Sequence, residues 1–346
     1  MPKPDVPGGP QVSEQVHFVK TGDGHPIALQ HYSPAEKTAR LPVLMVHGLG
    51  ANRHNFDLFG DDDALPRQLA RKGYECYVIE LRGIGLSRAP RGHRRAQGVD
   101  EYLRYDLPAA VEHVLKAQDQ EKLHWVGHSM GAILGYIYGS SFGHQIHSLL
   151  AAAGPVPAAV PLPGVGVLKP LRHMIAGKQL QNIELPNRLG LKALKRMPKL
   201  VRLAYDRVLF YADNMPDEWL LKFADSGLEN IPLSVLRRLG DWAVPSSRFG
   251  GEVERALGSL YVPTLFLAAK YDPLCPPDVV EHARRLMPEG YAKTHIISSD
   301  YGSVDFGHGD LLASPPAKRW VFPLVMEFIE AQEAARVGQA LRPPRD

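Results

Sequence analysis

The chain has 346 residues, of which 45% are hydrophobic and 22% charged, and a formal net charge of +3. That length buries a large core and leaves room for one big α/β domain with an inserted piece, while the composition excludes disordered and collagen-like classes. So small a positive charge argues against nucleic acid as a global partner.

Residues 1–14 read as a loose tail. Their start, Met1 to Pro10, has no apolar run, so neither a signal peptide nor an anchor is expected there. Val16 and Phe18, then Ile27 and Leu29, alternate around Gly22-Asp23-Gly24 and predict a hairpin. Pro42-Val43-Leu44-Met45-Val46 is a continuous apolar run, the mark of a central parallel strand buried on both faces. It ends in His47-Gly48-Leu49-Gly50. Ala64 to Lys72 has helical spacing, with Pro66 near its start and Gly73 as its stop. Tyr74 to Leu81 predicts the next strand. Asp106 is placed to cap a helix through Val111, Val114 and Leu115.

A short strand over Lys122–Val126 follows, then a helix over Ala132–Tyr138, then a strand over Ser148–Ala153. This alternation indicates a parallel sheet covered by helices. It breaks at about Gly154. Residues 169–250 hold no convincing strand but several helix-like stretches, such as Leu189–Leu209 and Asp217–Asp225. The strand pattern resumes at Val262–Ala268 and again at Lys293–Ser298, and a closing helix is expected over Pro323–Ala335. The expected organisation is an α/β core in two parts, 15–154 and 259–336, interrupted by a helical insertion over 155–258 and followed by a loose tail over 337–346. No window is long and apolar enough for a membrane span. Cys76 lies in a predicted central strand and reads as a small core residue, and Cys275 is its only possible bridge partner. A reducing compartment, the cytoplasm, is therefore the expected address.

Gly127-His128-Ser129-Met130-Gly131 sits where a strand turns into a helix. A serine on such a turn needs strained backbone angles, and glycines two residues to either side remove the Cβ atoms that would collide. The turn offers the Ser129 hydroxyl at the carboxyl end of the sheet. A serine is a poor nucleophile unless a neighbouring base takes its proton and a third group fixes that base. Beyond the insertion, Asp272 follows a strand, and His308, flanked by Gly307 and Gly309, follows the last strand. The stretch between them fits one helix and one strand. A lone Asp after a strand is usually a turn residue, and Asp300, Asp305 and Asp310 are rivals. A lone His is usually a surface or core residue, and His295 is the rival to His308. His128, next to the nucleophile, is expected to point away from the reacting face as a structural residue. The backbone N–H groups of Met130 and of Leu49, with Gly48 as a turn glycine, are the expected donors to a developing oxyanion. Glu80-Leu81-Arg82-Gly83-Ile84-Gly85-Leu86-Ser87 lacks the spacing of a phosphate loop and reads as scaffold.

Together, His-Gly after a strand, the R-G-x-G-x-S turn, G-H-S-M-G, the Asp272 loop and the Gly-His loop resemble the α/β-hydrolase superfamily over about residues 15–153 and 260–335. Tyr105-Asp106-Leu107-Pro108-Ala109, Glu121 through Ser129, and Asp305-Phe306-Gly307-His308-Gly309-Asp310 are similar to the gastric and lysosomal acid lipase branch. The resemblance implies a mostly parallel sheet with an inserted helical lid. It implies Ser129 as nucleophile, Asp272 as acid, His308 as base, and Leu49 and Met130 as oxyanion donors, with no metal or cofactor. The implied activity is cleavage of carboxylic esters of apolar acyl chains through an acyl-enzyme. Met130 stands where that branch has glutamine, which leaves the backbone donor intact, and the insertion carries no clear likeness.

Acyl transfer or polyester-type chemistry would use the same three side chains with another acceptor, and a non-catalytic binding protein of this fold is a further alternative. Epoxide hydrolases and dehalogenases are disfavoured, since they carry a carboxylate where Ser129 stands. Between Pro161 and Asn214, Lys169, Arg172, Lys178, Arg188, Lys192, Lys195, Arg196, Lys199, Arg202 and Arg207 outnumber Glu184, Asp206 and Asp213. The preferred reading is a solvated helix face, and the sharper one is transient contact with an anionic lipid surface or an acidic substrate. The expected partner is a small ester or lipid.

Overall fold

The computed structural model describes residues 11–88, 97–161 and 209–340, together with 184–185, Lys199, Arg202 and Asp206. The predicted alternation of strand and helix becomes one eight-stranded sheet. Its strands are β1 (Ser13–Lys20), β2 (Pro26–Ser33), β3 (Val43–Val46), β4 (Cys76–Glu80), β5 (Leu123–His128), β6 (Ile146–Ala152), β7 (Thr264–Ala269) and β8 (Ala292–Ile297), in the order β1-β2-β4-β3-β5-β6-β7-β8. β1 pairs antiparallel with β2, and β2 antiparallel with β4, while every later pairing is parallel.

Every residue of β3, β4 and β5 is buried. β3 is the continuous apolar run of the sequence, and all three strands are covered on both faces because each parallel crossover lays a helix across the sheet. Each Val, Leu, Ile or Met so buried contributes about 1.5–3 kcal/mol. The covering helices include α1 (Leu65–Arg71), α2 (Leu107–Gln118) and α3 (Met130–Phe142). The helices of the insertion come next in the chain, followed by two that close the core. These are α4 (Asp217–Lys222), α5 (Leu233–Trp242) and α6 (Glu252–Gly258), and α7 is Pro277–Leu286, α8 Phe322–Ala340. Among the described residues, no helix is long and apolar enough to cross a membrane.

Four expectations need correction. The tail expected over residues 1–14 ends earlier, since β1 begins at Ser13, paired with Ser33. The last helix runs to Ala340 rather than stopping at Ala335, carried on by the good helix formers of Ala331-Gln332-Glu333-Ala334-Ala335-Arg336. The insertion is not purely helical, because Glu184–Leu185 and Ile231–Pro232 form a two-residue antiparallel ladder. Asp106 does not cap α2 with its side chain; the carboxylate accepts from Arg82 N at 3.0 Å and Arg82 Nε at 2.9 Å. Arg82 is fully buried, so its charge needs a buried partner more than the helix needs a cap. The R-G-x-G-x-S turn is scaffold as read. Most of the helix expected over Leu189–Leu209, and the basic residues named between Pro161 and Asn214 other than Lys199 and Arg202, lie outside the described residues. Cys76 and Cys275 are both buried, unbridged thiols.

Helix α8 is tied to the start of the sheet by Glu333. Its carboxylate accepts from Leu41 N (3.1 Å), His124 Nε2 (3.1 Å) and Arg336 Nη2 (2.8 Å). Burial by itself would raise the Glu333 pKa, but the hydrogen bonds from His124, Arg336 and Leu41 outweigh it and hold the group at about 2. A depressed carboxylate stabilises the fold above its unfolded pKa and loses that effect as pH falls toward its folded pKa. Glu333→Gln is therefore expected to lower the melting temperature at pH 7, with the gap to wild type closing between about pH 4 and pH 2. A gap of constant size across that range in thermal melts would refute the assignment.

Candidate active site

The site is built at the carboxyl ends of the parallel strands, where open α/β sheets place their chemistry. Ser129 follows β5 directly and precedes α3, with φ +51° and ψ −114°. A positive φ is costly for a residue with a Cβ and persists only where the surroundings enforce it. The glycines on either side make the turn possible by close approach. A Cβ on Gly127 would lie 2.5 Å from the Gly131 carbonyl oxygen, and a Cβ on Gly131 would run into the Val46 carbonyl. Gly48 is less constrained, its added Cβ meeting His128 Nδ1 at 3.0 Å.

The three sequence-distant side chains come together. Ser129 Oγ donates to His308 Nε2 at 2.8 Å, and His308 Nδ1 donates to Asp272 Oδ2 at 2.7 Å. Asp272 follows β7, and its other oxygen accepts from Leu274 N (2.8 Å) and Cys275 N (2.9 Å), which fixes the carboxylate plane. His308 lies in the loop after β8, and Tyr271 N donates to Phe306 O at 3.2 Å, joining the two loops. Asp272 and His308 are buried. The rivals fall elsewhere. Asp300 is an exposed partner of Lys270, Asp305 caps Ser299, and His295 is exposed on β8.

Among the described residues, the N–H groups of Leu49 and Met130 donate to no protein acceptor. Met130 is the first residue of α3, where N–H groups have no partner within the helix. Both residues sit beside Ser129 around the loop that follows β3. That loop is braced by His47, whose Nδ1 donates to Gly48 O (2.9 Å) while Nε2 accepts from Leu81 N (3.3 Å). Burial lowers the His47 pKa and keeps the ring neutral for those two bonds.

His128 does not point away from the site. It lines the same cavity as Ser129 and His308, its Nε2 donates to the His308 carbonyl at 2.9 Å, and its Nδ1 lies 2.8 Å from the Asn55 side-chain amide. The positive φ at Ser129 breaks the strand's in-out alternation, which is why a residue adjacent in sequence is also adjacent in the site. Burial, and then the nearby His308, push the His128 pKa down to about 3, so the ring stays neutral. Asn55 Oδ1, the atom beside His128 Nδ1, accepts from Gly48 N at 3.2 Å and ties this corner to the loop after β3. Asp310, read as a rival acid, is a fully buried brace for the histidine loop. It accepts from Gly307 N (3.0 Å), Tyr211 N (3.1 Å) and Asn214 Nδ2 (2.7 Å). Asn55 carried no signal in the sequence, whereas a carboxylate two residues after a glycine-flanked histidine was one for Asp310.

The cavity above Ser129 is about 300 Å³. The core supplies Leu49, Ala51 and Leu274 to its wall, and the insertion supplies Leu209, Phe223, Leu228 and Ile231. A second serine–histidine–carboxylate chain runs through Ser148 Oγ, His124 Nδ1 (2.7 Å) and, from His124 Nε2, Glu333 (3.1 Å). It lies toward the amino ends of β5 and β6, with His124 and Ser148 0% and 1% exposed. No substrate reaches it, so proximity of the three types alone does not make a site.

The described fold agrees with the comparisons. A family model described as the alpha/beta hydrolase fold matches residues 42–310. Triacylglycerol lipase 2 of Arabidopsis thaliana is 31% identical over 133 residues, 35% of this chain and 32% of that protein. The lysosomal acid lipase/cholesteryl ester hydrolase of Rattus norvegicus is 31% identical over 134 residues, 35% of this chain and 34% of that protein. The chain thus spans about a third of the length of these curated relatives. Among solved structures, a thermophilic esterase from Thermogutta terrifontis superposes with a TM-score of 0.60 at 19% identity, over 92% of this chain and 99% of that one. An esterase from Exiguobacterium antarcticum gives 0.59 at 17% identity, over 91% and 100%. With the family model covering most of its length, and a mostly parallel eight-stranded sheet carrying its serine turn at the end of β5, the chain belongs to the α/β-hydrolase fold family.

Proposed function

We propose that this chain is a serine hydrolase of carboxylic esters with apolar acyl groups. The observation that carries the reading is the unbroken hydrogen-bond chain from Ser129 Oγ through His308 to Asp272, opening into an apolar cavity. His308 Nε2 takes the Ser129 proton as Oγ attacks the ester carbonyl. Asp272 holds the tautomer that leaves Nε2 free and stabilises the imidazolium that forms. The N–H groups of Leu49 and Met130 meet the oxyanion, each such donor contributing about 3 kcal/mol to the transition state. His308 then hands its proton to the leaving alcohol, and water activated by the same nitrogen cleaves the acyl-enzyme. The insertion over residues 155–258 acts as a lid that supplies the far wall of the cavity. Similarity to proteins named as lipases supports ester chemistry, while hydrolysis rather than transfer to another acceptor is our choice between the two. Two buried, unbridged cysteines fit a cytoplasmic address.

Arg202, one of the expected lipid-facing bases, instead turns onto its own chain, donating to the carbonyls of Ala212 and Met215 (both 2.9 Å) and to Asp217 (2.6 Å). That favours the plain reading of the basic stretch at this position. A fluorophosphonate probe is expected to modify Ser129 alone, as read by peptide mass spectrometry. A protein that stays unmodified while folded would support the non-catalytic alternative.

A further inference from the structure

We infer that the substrates are esters dissolved as single molecules, with acyl groups short enough for the cavity above Ser129, and not aggregated lipid. The inference rests on the hydrolase reading above and names its substrate class.

The first observation is size. At about 30 Å³ per heavy-atom group, the share of a water molecule in its liquid, a cavity of about 300 Å³ takes about ten such groups. An ester carbonyl bonded to Ser129 then leaves room inside the cavity for about eight acyl carbons.

The second observation is how the wall is held. An enzyme that waits for a lipid surface swings its cover away from a site that is complete without it. Here the described part of the cover, residues 209–231, is sewn to both loops that carry the chemistry. On the histidine side, Gly309 N donates to Leu209 O at 2.7 Å, Tyr211 N donates to Asp310, and Asn214 Nδ2 bridges Asp310 (2.7 Å) and the Asp305 carbonyl (2.7 Å). On the oxyanion side, Glu229 N donates to Gly50 O at 2.7 Å. Asn52 Nδ2 donates to Ser226 O (2.7 Å) and Glu229 Oε1 (3.0 Å), and Ala51 bridges Leu228. Asn52, Asn214, Glu229 and Asp310 are all buried.

Lifting residues 209–231 would break those bonds and release the loops that hold His308 and the Leu49 N–H. The wall is therefore part of the active geometry, and opening it turns the site off.

The test is a series of p-nitrophenyl esters from acetate to palmitate in detergent-free buffer, with tributyrin rates followed through its solubility limit and fluorophosphonate labelling run in parallel. Expected are a maximum of kcat/KM between butyrate and octanoate, a fall of at least about tenfold at palmitate, and a tributyrin curve that saturates without a break. Ile231→Ala is expected to move the optimum toward longer chains. Asn214→Ala, which loosens the stitching without altering the wall, is expected to lower kcat. A protein labelled at Ser129 whose rate jumps at the solubility limit, or that prefers palmitate, or whose Asn214→Ala form gains activity on emulsions, overturns this inference and leaves the hydrolase reading standing. Absence of both labelling and turnover overturns the two together.

Discussion

Ser129→Ala will lower kcat for p-nitrophenyl butyrate by about 10⁴-fold or more, with KM and the melting temperature little changed. The magnitude follows from what the side chain does: without Oγ no covalent intermediate forms, and only binding and the oxyanion donors remain. Asp272→Asn is expected to cost about 10⁴-fold by another route. An amide presents a donor to His308 Nδ1, so the ring takes the opposite tautomer and turns an N–H toward Ser129. The geometry survives while the base is lost. Steady-state kinetics with circular dichroism of both variants checks this. A Ser129→Ala protein that keeps a tenth of wild-type turnover would remove the nucleophile assignment.

Asp310→Asn has the second large effect, on stability as a function of pH. Burial raises the Asp310 pKa to about 6, against the opposing hydrogen bonds from Asn214, Gly307 and Tyr211. Because the folded value lies above the unfolded one, the stabilising contribution is complete below about pH 4 and is lost as pH rises through about 6. The shift of about two units amounts to about 3 kcal/mol of stability removed by pH 8. Urea unfolding of wild type from pH 4 to pH 8 should show this decline, and the variant should lack it. The variant should also lose turnover across the whole range, since an amide NH₂ facing the Asn214 NH₂ breaks the tie to the insertion. Parallel pH profiles of stability in the two proteins would overturn the assignment.

The sheet was readable because β3 is an uninterrupted apolar run, and two-sided burial leaves that mark directly in composition. The three side chains of the proposed site were readable for a related reason, since each follows a strand and the chain length between Asp272 and His308 fits one crossover. The supporting residues were not readable. Asn55 meets His128 across 73 positions, and Asn214 meets Asp310 across 96. The first depends on how the loop after β3 packs on the serine turn and the second on how the insertion folds back, and no local period records either. Asp106 shows the same limit from the other side. Its place before a helix pointed to a cap, and the buried charge of Arg82 took the carboxylate instead.

The double attachment of residues 209–231 also decides how this scaffold can be re-engineered. Chimaeras that graft an insertion from a relative onto this core will inherit orphaned partners at Asp310, Asn52 and Gly50 unless the donor segment brings matching amides and main-chain groups. Swapping specificity therefore means transplanting both halves of each junction, and point changes inside the cavity are the shorter route.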